Sequence, residues 1–417
     1  MSNEETLDPT HASTSRPEKL DSSGWDDRRH ARLAFIAVAL VGLVLRPGII
    51  SIGPVLPQIR EVFGMSHAEA SLLTVIPDLL MGLLAFPSPW LARRFGRDRV
   101  ILVALIILCL SMFLRPWATG VASLLLATVG VGSGIAIAGA LMGGFIRQNF
   151  PKSVAMLVGF YATVLSLGST VSAATTVPLA NALPGGWRGA IGLWSLLGLP
   201  AIASWLLVSG HEKKRAGTGS PAAAAPAAAI PLRNKTAWAI ALFFACDNLL
   251  FYAIISWTAP MFGEFGLTPT KAGLLLGSFT AAFTIANPIF GSLSKSSDRR
   301  GWLAAAAGLA VAGAAMLALA PTLAPFVCIP LTAFGLGGAF TLGMTLPLDN
   351  ARTTDEANTW TAFVLTIGYL IAASGPFLVG LLRDVTGGFT AATYLLVAVA
   401  AVMLGITPFL KPHKEAA

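Results

Sequence analysis

Four ionisable side chains, Arg46, Asp78, Arg115 and Asp247, interrupt stretches of sequence that are otherwise apolar. Inside a hydrocarbon layer each costs about 2.5–3.5 kcal/mol to insert, so each needs a role that compensates. Arginine stays protonated at depth and presents a planar fork of donors suited to carboxylates and similar anions. A carboxyl group shut away from water is a place where a proton can be taken up and released. Together these residue types would bind an anion beside a proton carrier. The competing role is structural: Arg46 with Asp78, on neighbouring helices, would form an ion pair that fixes packing and carries nothing. Around Asp247 the chain reads DNLLFYAIISWTAP, in which Asn248, Tyr252 and Trp257 can present amide, phenol and indole groups to a cavity. Asn248 and Tyr252 are four apart and share a helical face. Tyr369, in GYLIAASGP, can do likewise. For these aromatics the alternative role is packing between helices, or interfacial anchoring for Trp257.

The elements that position these residues follow from composition. The 417 residues are 55% hydrophobic and only 12% charged, with a mean hydropathy of +0.73, which is too little charge to coat soluble domains of that length. A spanning helix needs roughly 20 apolar residues, and twelve such runs can be marked off, from 32–58 and 68–92 through to 388–410. The expected fold is therefore an all-α membrane protein of twelve transmembrane helices. Residues 1–30 are polar, mix acids with bases and are expected to be a disordered tail, without the basic start and apolar core of a signal peptide. Residues 31–210 make a first six-helix half, 211–234 a basic and then Ala/Pro/Gly-rich linker, and 235–411 a second six-helix half.

Depth along the runs places Arg46, Asp78 and Asp247 near the middle of the bilayer and Arg115 nearer one face. The net charge of +8 does not imply nucleic acid. Of the 28 Lys and Arg residues, only Arg60, Arg115, Arg188, Lys271 and Arg383 fall at the ends opposite the termini, and Arg46 alone lies within the membrane. That asymmetry predicts cytoplasmic termini. Cys109, Cys246 and Cys328 lie within apolar runs without metal-ligand spacing, so neither disulfide nor metal site is expected. GVGSGIAIAG has the glycine density of a nucleotide loop but lies in an apolar helix with no preceding strand. His11, His30, His67, His211 and His413 fall in tails or loops and make no catalytic group. The sequence therefore predicts neither an enzyme nor a cofactor.

The halves match each other at an offset of about 202 residues: FGMSHAEAS from Phe63 answers FGLTPTKAG from Phe265, and GVGSG in the fourth run answers GLGGA in the tenth. Parallel six-helix halves are the pattern of a duplicated transporter with a central substrate path. PWLARRFGRDR at 89–99 and GSLSKSSDRR at 291–300 resemble the signature loop of the major facilitator superfamily, Gly-x-Leu-Ala-Asp-Arg-x-Gly-Arg-Arg, in the two places where that superfamily carries it. The resemblance implies gating-loop roles for Arg94, Gly96, Arg97, Asp298 and Arg299. Pro89 stands where Gly is usual and Arg93 where Asp is usual, with Asp98 as a partial substitute for the missing acid.

LRPGIISIGPVLPQIREVFGMSHAEASLLTVIP, FLRP at 113–116, GSGIAIAGALMGGFIRQNFP at 132–151 and IGYLIAASGPFLVGLLRDVTG at 367–387 narrow this further. Over about 30–410 the chain resembles the cyanate porter family, the branch that includes cyanate and 2-nitroimidazole transporters. The resemblance implies small anions or small nitrogen heterocycles as substrates. It carries over Arg46, Arg115, Tyr252, Trp257, Tyr369 and Pro376 as matching positions, while Asp78 and Asp247 depart from the family pattern. The fifth run lacks the Gly-Pro pair of drug/proton antiporters, which lowers multidrug efflux. The expected protein is a monomeric, proton-coupled secondary transporter of the inner membrane that works by alternating access. Its substrate would be a small organic or inorganic anion held by Arg46, Arg115, Asn248, Tyr252, Trp257 and Tyr369, with Asp78 or Asp247 coupling flux to protons. The alternative is a proton-driven exporter of small neutral or cationic nitrogen heterocycles, with the acids binding substrate.

Overall fold

The computed structural model describes residues 22–150, 154–215, 230–294, 298–350 and 354–411. They comprise twelve helical spans long and apolar enough to cross a membrane: α1 (His30–Phe63), α2 (His67–Ala85), α3 (Arg97–Trp117), α4 (Val121–Ile146), α5 (Gly159–Ala182), α6 (Trp187–Gly210), α7 (Lys235–Glu264), α8 (Pro269–Leu293), α9 (Arg300–Leu319), α10 (Pro325–Pro347), α11 (Thr359–Thr386) and α12 (Thr390–Phe409). With an even number of spans, the chain begins and ends at the same end of the bundle. The other is called the far end below.

Local boundaries differ from the sequence expectation in two places. The first helix begins at Ser22, so the stretch from Ser22 to His30 is helical rather than tail. The second apolar run stops as a helix at Ala85, and Ser88–Phe95 forms a separate short helix. Pro87 and Pro89 explain the division, because neither can donate the N–H that would continue α2. At the start of α2, Ser66 and Glu69 form a reciprocal capping box that fixes where the helix begins. Most of the 211–234 linker lies outside the described residues.

Twofold repetition is visible in the packing. In each half the fourth helix wedges between the second and third, and glycines let it in. A Cβ on Gly132 would fall 2.7 Å from the Pro77 Cα of α2, while Gly130 meets Ser111 of α3. In the second half Gly337 meets the Phe283 carbonyl of α8 and Gly335 meets Ala310 of α9. The GVGSG and GLGGA elements are thus one device used twice, bringing backbones into contact as small residues do in membranes. Replacing Gly337 with Leu overpacks the α8–α10 contact. It is expected to cost about 1–3 kcal/mol or more and to lower the thermal midpoint in detergent, whereas Gly405→Leu, where a Cβ meets nothing within 4 Å, should leave it unchanged.

Large apolar side chains such as Val103, Leu126, Leu207 and Val402 remain exposed on the outside of the bundle, as a surface solvated by lipid requires. The two halves meet along α1 against α7, α2 against α11 and α5 against α8. The most buried span is α7, with residues from Ala237 to Phe262 packed inside.

Candidate functional site

The arginine at the centre of the sequence argument sits at a break in α1. The helix is interrupted at Arg46, whose backbone stays in the α region, Pro47 opens a four-residue helix, and a second interruption follows at Ser51. Pro47 has no N–H to give the Leu43 carbonyl one turn back, and α5 comes close at that point: a Cβ on Gly168 would lie 2.7 Å from Leu43 O. From this interruption the Arg46 side chain reaches across to α7. Its Nη1 donates to the Tyr252 hydroxyl of α7 at 3.1 Å, and that hydroxyl donates to the Met81 sulfur of α2 at 3.8 Å.

Tyr369 stands beside Tyr252, ring centroids 6.3 Å apart and edge to face. A third tyrosine, Tyr161 of α5, lies within electrostatic reach of Arg46 and Tyr369. Three of the chain's four tyrosines thus gather about one guanidinium, from α5, α7 and α11. The sequence reasoning missed Tyr161; the rarity of tyrosine within the runs was the one available signal. Arg46, Tyr161 and Tyr369 keep some accessible surface despite their mid-bundle position, so space is left beside them.

Asp78 of α2 is fully buried and within electrostatic reach of Arg46, Tyr252 and Tyr369. Both of its carboxyl oxygens lack a hydrogen-bond partner among the described residues, as do those of Asp247. The packing ion pair between Arg46 and Asp78 does not form. Asp247 is likewise buried, near Tyr369 rather than Arg46.

Three expected binding residues are occupied elsewhere. Arg115 is buried and donates from Nη1 to the Gly48 carbonyl at 2.7 Å and from Nη2 to Thr128 at 3.3 Å. It props the broken segment of α1 from behind. Trp257 donates to the Pro376 carbonyl at 2.8 Å and lies toward the far end. Asn248 donates back to the Phe244 carbonyl of its own helix at 2.9 Å. In each case a nearby carbonyl takes the donor that sequence reasoning offered to substrate.

The two signature-like loops lie at the terminus-bearing end. Gly96 takes the left-handed φ of +86° between the short helix and α3, which a side chain would strain. Arg97 donates to Gln148 at 2.5 Å, in the last turn of the helix that carries α4 on to Asn149, and contacts Asp98 at 3.3 Å; Arg94 lies over the Trp90 and Phe95 rings. Arg299, at the 202-residue offset from Arg97, clamps Asp349 in the last turn of the helix that carries α10 on to Asn350, with Nε–Oδ2 at 2.6 Å and Nη2–Oδ1 at 3.3 Å. Asp298 instead binds Arg300 at 2.7 Å, and those side-chain and backbone hydrogen bonds hold its carboxyl down to about 2. Asp349 was not singled out from sequence. In the first half the corresponding Arg97 reaches Gln148 and Asp98.

The sequence pattern of the Major Facilitator Superfamily matches residues 34–373, and again 244–417. The chain belongs to that superfamily and is a membrane transporter, not an enzyme. The 2-nitroimidazole transporter of Escherichia coli (strain K12) is 31% identical over 364 residues, 86% of this chain and 90% of that protein. The cyanate transport protein CynX of the same organism is 28% identical over 357 residues, 85% and 91% respectively. A solved structure of a bacterial homologue of the human lysosomal transporter Spinster, inward-facing and occupied, matches with a TM-score of 0.75 at 18% identity, covering 92% of this chain and 96% of that one. The expected fold and cyanate-porter likeness both hold.

Proposed function

We propose that this chain moves a small organic or inorganic anion across the inner membrane by alternating access, coupled to protons. The observation that carries the reading is Arg46: a guanidinium at mid-bundle, at the interface between the halves, bound to a phenol rather than to a carboxylate. An arginine engaged by an acid would be neutralised. One engaged by a hydroxyl keeps its charge and most of its donors for a ligand. Tyr369 and Tyr161 are placed to add hydroxyl donors around the same point, while Tyr252 positions the guanidinium. An anion arriving there is desolvated among apolar walls, where a charge-assisted hydrogen bond is strong.

Asp78 supplies the coupling. Its carboxyl is close enough to feel Arg46 without bonding it, so an anion bound to Arg46 and a proton bound to Asp78 compensate each other's charge as they cross. The positive-inside distribution supports cytoplasmic termini. A monomer suffices, since the site lies between halves of one chain. Names of similar proteins support small, planar, electron-rich substrates.

A second reading has its own observation. Unpartnered Asp78 and Asp247 also suit a substrate with N–H donors, which supports export of a neutral or cationic nitrogen heterocycle. Proteoliposome flux separates the two. Uptake of cyanate, nitrite or a small carboxylate, stimulated by an inwardly directed proton gradient, is expected for the first; movement of 2-nitroimidazole alone, opposite to the proton gradient, would replace it with the second.

A further inference from the structure

The far end is closed by a cluster of side chains from four helices that the substrate site does not use. Arg60 comes from α1, His67 from α2, Glu264 from α7, and Arg383 and Asp384 from α11. His67 is not a loop residue: it is the first residue of α2, is 7% exposed, and sits against the rings of Trp257 at 5.5 Å and Phe389 at 6.1 Å. Its Nε2 lies 2.6 Å from Arg60 Nη1 and its Nδ1 2.6 Å from Asp384 Oδ1. Asp384 also accepts the backbone N–H of His67 at 3.1 Å and of Ala68 at 2.8 Å. One carboxylate from the second half therefore caps a helix of the first. Glu264 binds Arg383 at 3.0 Å and stands 3.6 Å from His67 Nε2. Of the nearby acids on the first half, Glu69 turns back to the Ser66 N–H and Glu61 is exposed.

The protonation of His67 follows from its partners. A guanidinium can only donate, so Nε2 must accept from Arg60 and carries no proton; Nδ1–H donates to Asp384, and the ring is neutral. We propose that His67 is a titratable latch: the far end closes over a neutral imidazole, and a proton taken from the far-side solution onto Nε2 opens it. That proton uses the lone pair on which Arg60 depends, and leaves two donors facing each other at 2.6 Å. Glu264, already engaged by Arg383, is the remaining acceptor. The closed arrangement binds one proton fewer than the open one, so acid favours opening. The window begins at the ordinary imidazole value of about 6.5, at which the open ring titrates, and extends below it. The proposal goes beyond the transport reading and uses from it only that the halves part at this end.

The test is a distance. Spin labels on Thr119→Cys in the first half and Leu323→Cys in the second, both exposed far-end positions, report separation by pulsed electron resonance; Cys109, Cys246 and Cys328 are buried. The wild-type background is expected to shift from a short to a long distance between about pH 8 and 5.5, bracketing the ordinary imidazole value. His67→Gln, whose amide can accept from Arg60 and donate to Asp384 without titrating, should stay short at both. A wild-type distance indifferent to pH, or a His67→Gln response equal to wild type, would overturn the proposal. Asp384→Ala should be long at both values. If it stays short, the latch itself fails and with it the parting of the halves here; if it is long while the wild type ignores pH, only the titration fails.

Discussion

Arg46→Lys is expected to lose nearly as much transport as Arg46→Ala. The fork of the guanidinium lets one N–H bind Tyr252 while others face a ligand, and a single ammonium cannot hold both at that spacing. Truncating a desolvated, hydrogen-bonded charge costs about 2–5 kcal/mol, equivalent to roughly 30-fold to several-thousand-fold in affinity. Flux measured at low substrate in proteoliposomes should fall by that range in both variants. Folding should survive, because Arg46 makes one side-chain hydrogen bond and no ion pair among the described residues, whereas Arg115 ties α3 and α4 to the broken part of α1. Arg115→Ala is the contrasting case, in which the protein itself is lost. Wild-type flux in Arg46→Lys would remove the guanidinium from the substrate path.

The second large effect is expected at Asp78. Its carboxyl has no hydrogen-bond donor and lies within electrostatic reach of Arg46, so under the proposed coupling an anion that neutralises Arg46 favours proton uptake at Asp78, and release of the anion favours proton release. Asp78→Asn keeps the shape and removes the titration. Gradient-driven accumulation should drop to the level seen without a gradient, while exchange of labelled for unlabelled substrate persists. The asparagine variant separates coupling from binding because substrate still meets Arg46 and the tyrosines. Equal loss of exchange and accumulation would instead make Asp78 a substrate ligand, as the heterocycle reading requires. Asp247→Asn is the control for location: it is nearer Tyr369 than Arg46, and under the present account changes accumulation less than Asp78→Asn.

Much of this architecture was legible because hydropathy and duplication leave marks in linear order. The twelve spans follow from the apolar runs, and the paired glycine wedges of the fourth and tenth spans from the 202-residue offset. Partner choice was not legible. Arg115, Asn248 and Trp257 look like donors for a ligand in sequence, yet each finds a carbonyl, and for Arg115 and Trp257 that carbonyl belongs to a helix remote in sequence. Gly48 and Pro376 gave no signal that their carbonyls would serve. Tyr161 was missed because nothing nearby in the chain marks its helix as facing α1. His67 was misplaced for a related reason: one residue before an apolar run looks like a loop, and only the docking of α11 on the start of α2 turns it into a buried hinge. Arg97 and Arg299 share a register, but Asp349 could be paired with Arg299 only once α10 was seen to continue to that loop.

The central claim is that Arg46 is there to bind negative charge. Thermal unfolding of the purified protein in detergent, recorded against small inorganic anions, carboxylates and neutral nitrogen heterocycles, tests it most directly, because a ligand that binds only the folded state raises the midpoint with concentration. The account predicts that at least one small anion stabilises the wild type and has no effect on a folded Arg46→Ala variant. Stabilisation of both proteins alike, by neutral or cationic compounds only, would contradict it and leave Arg46 a structural partner of Tyr252.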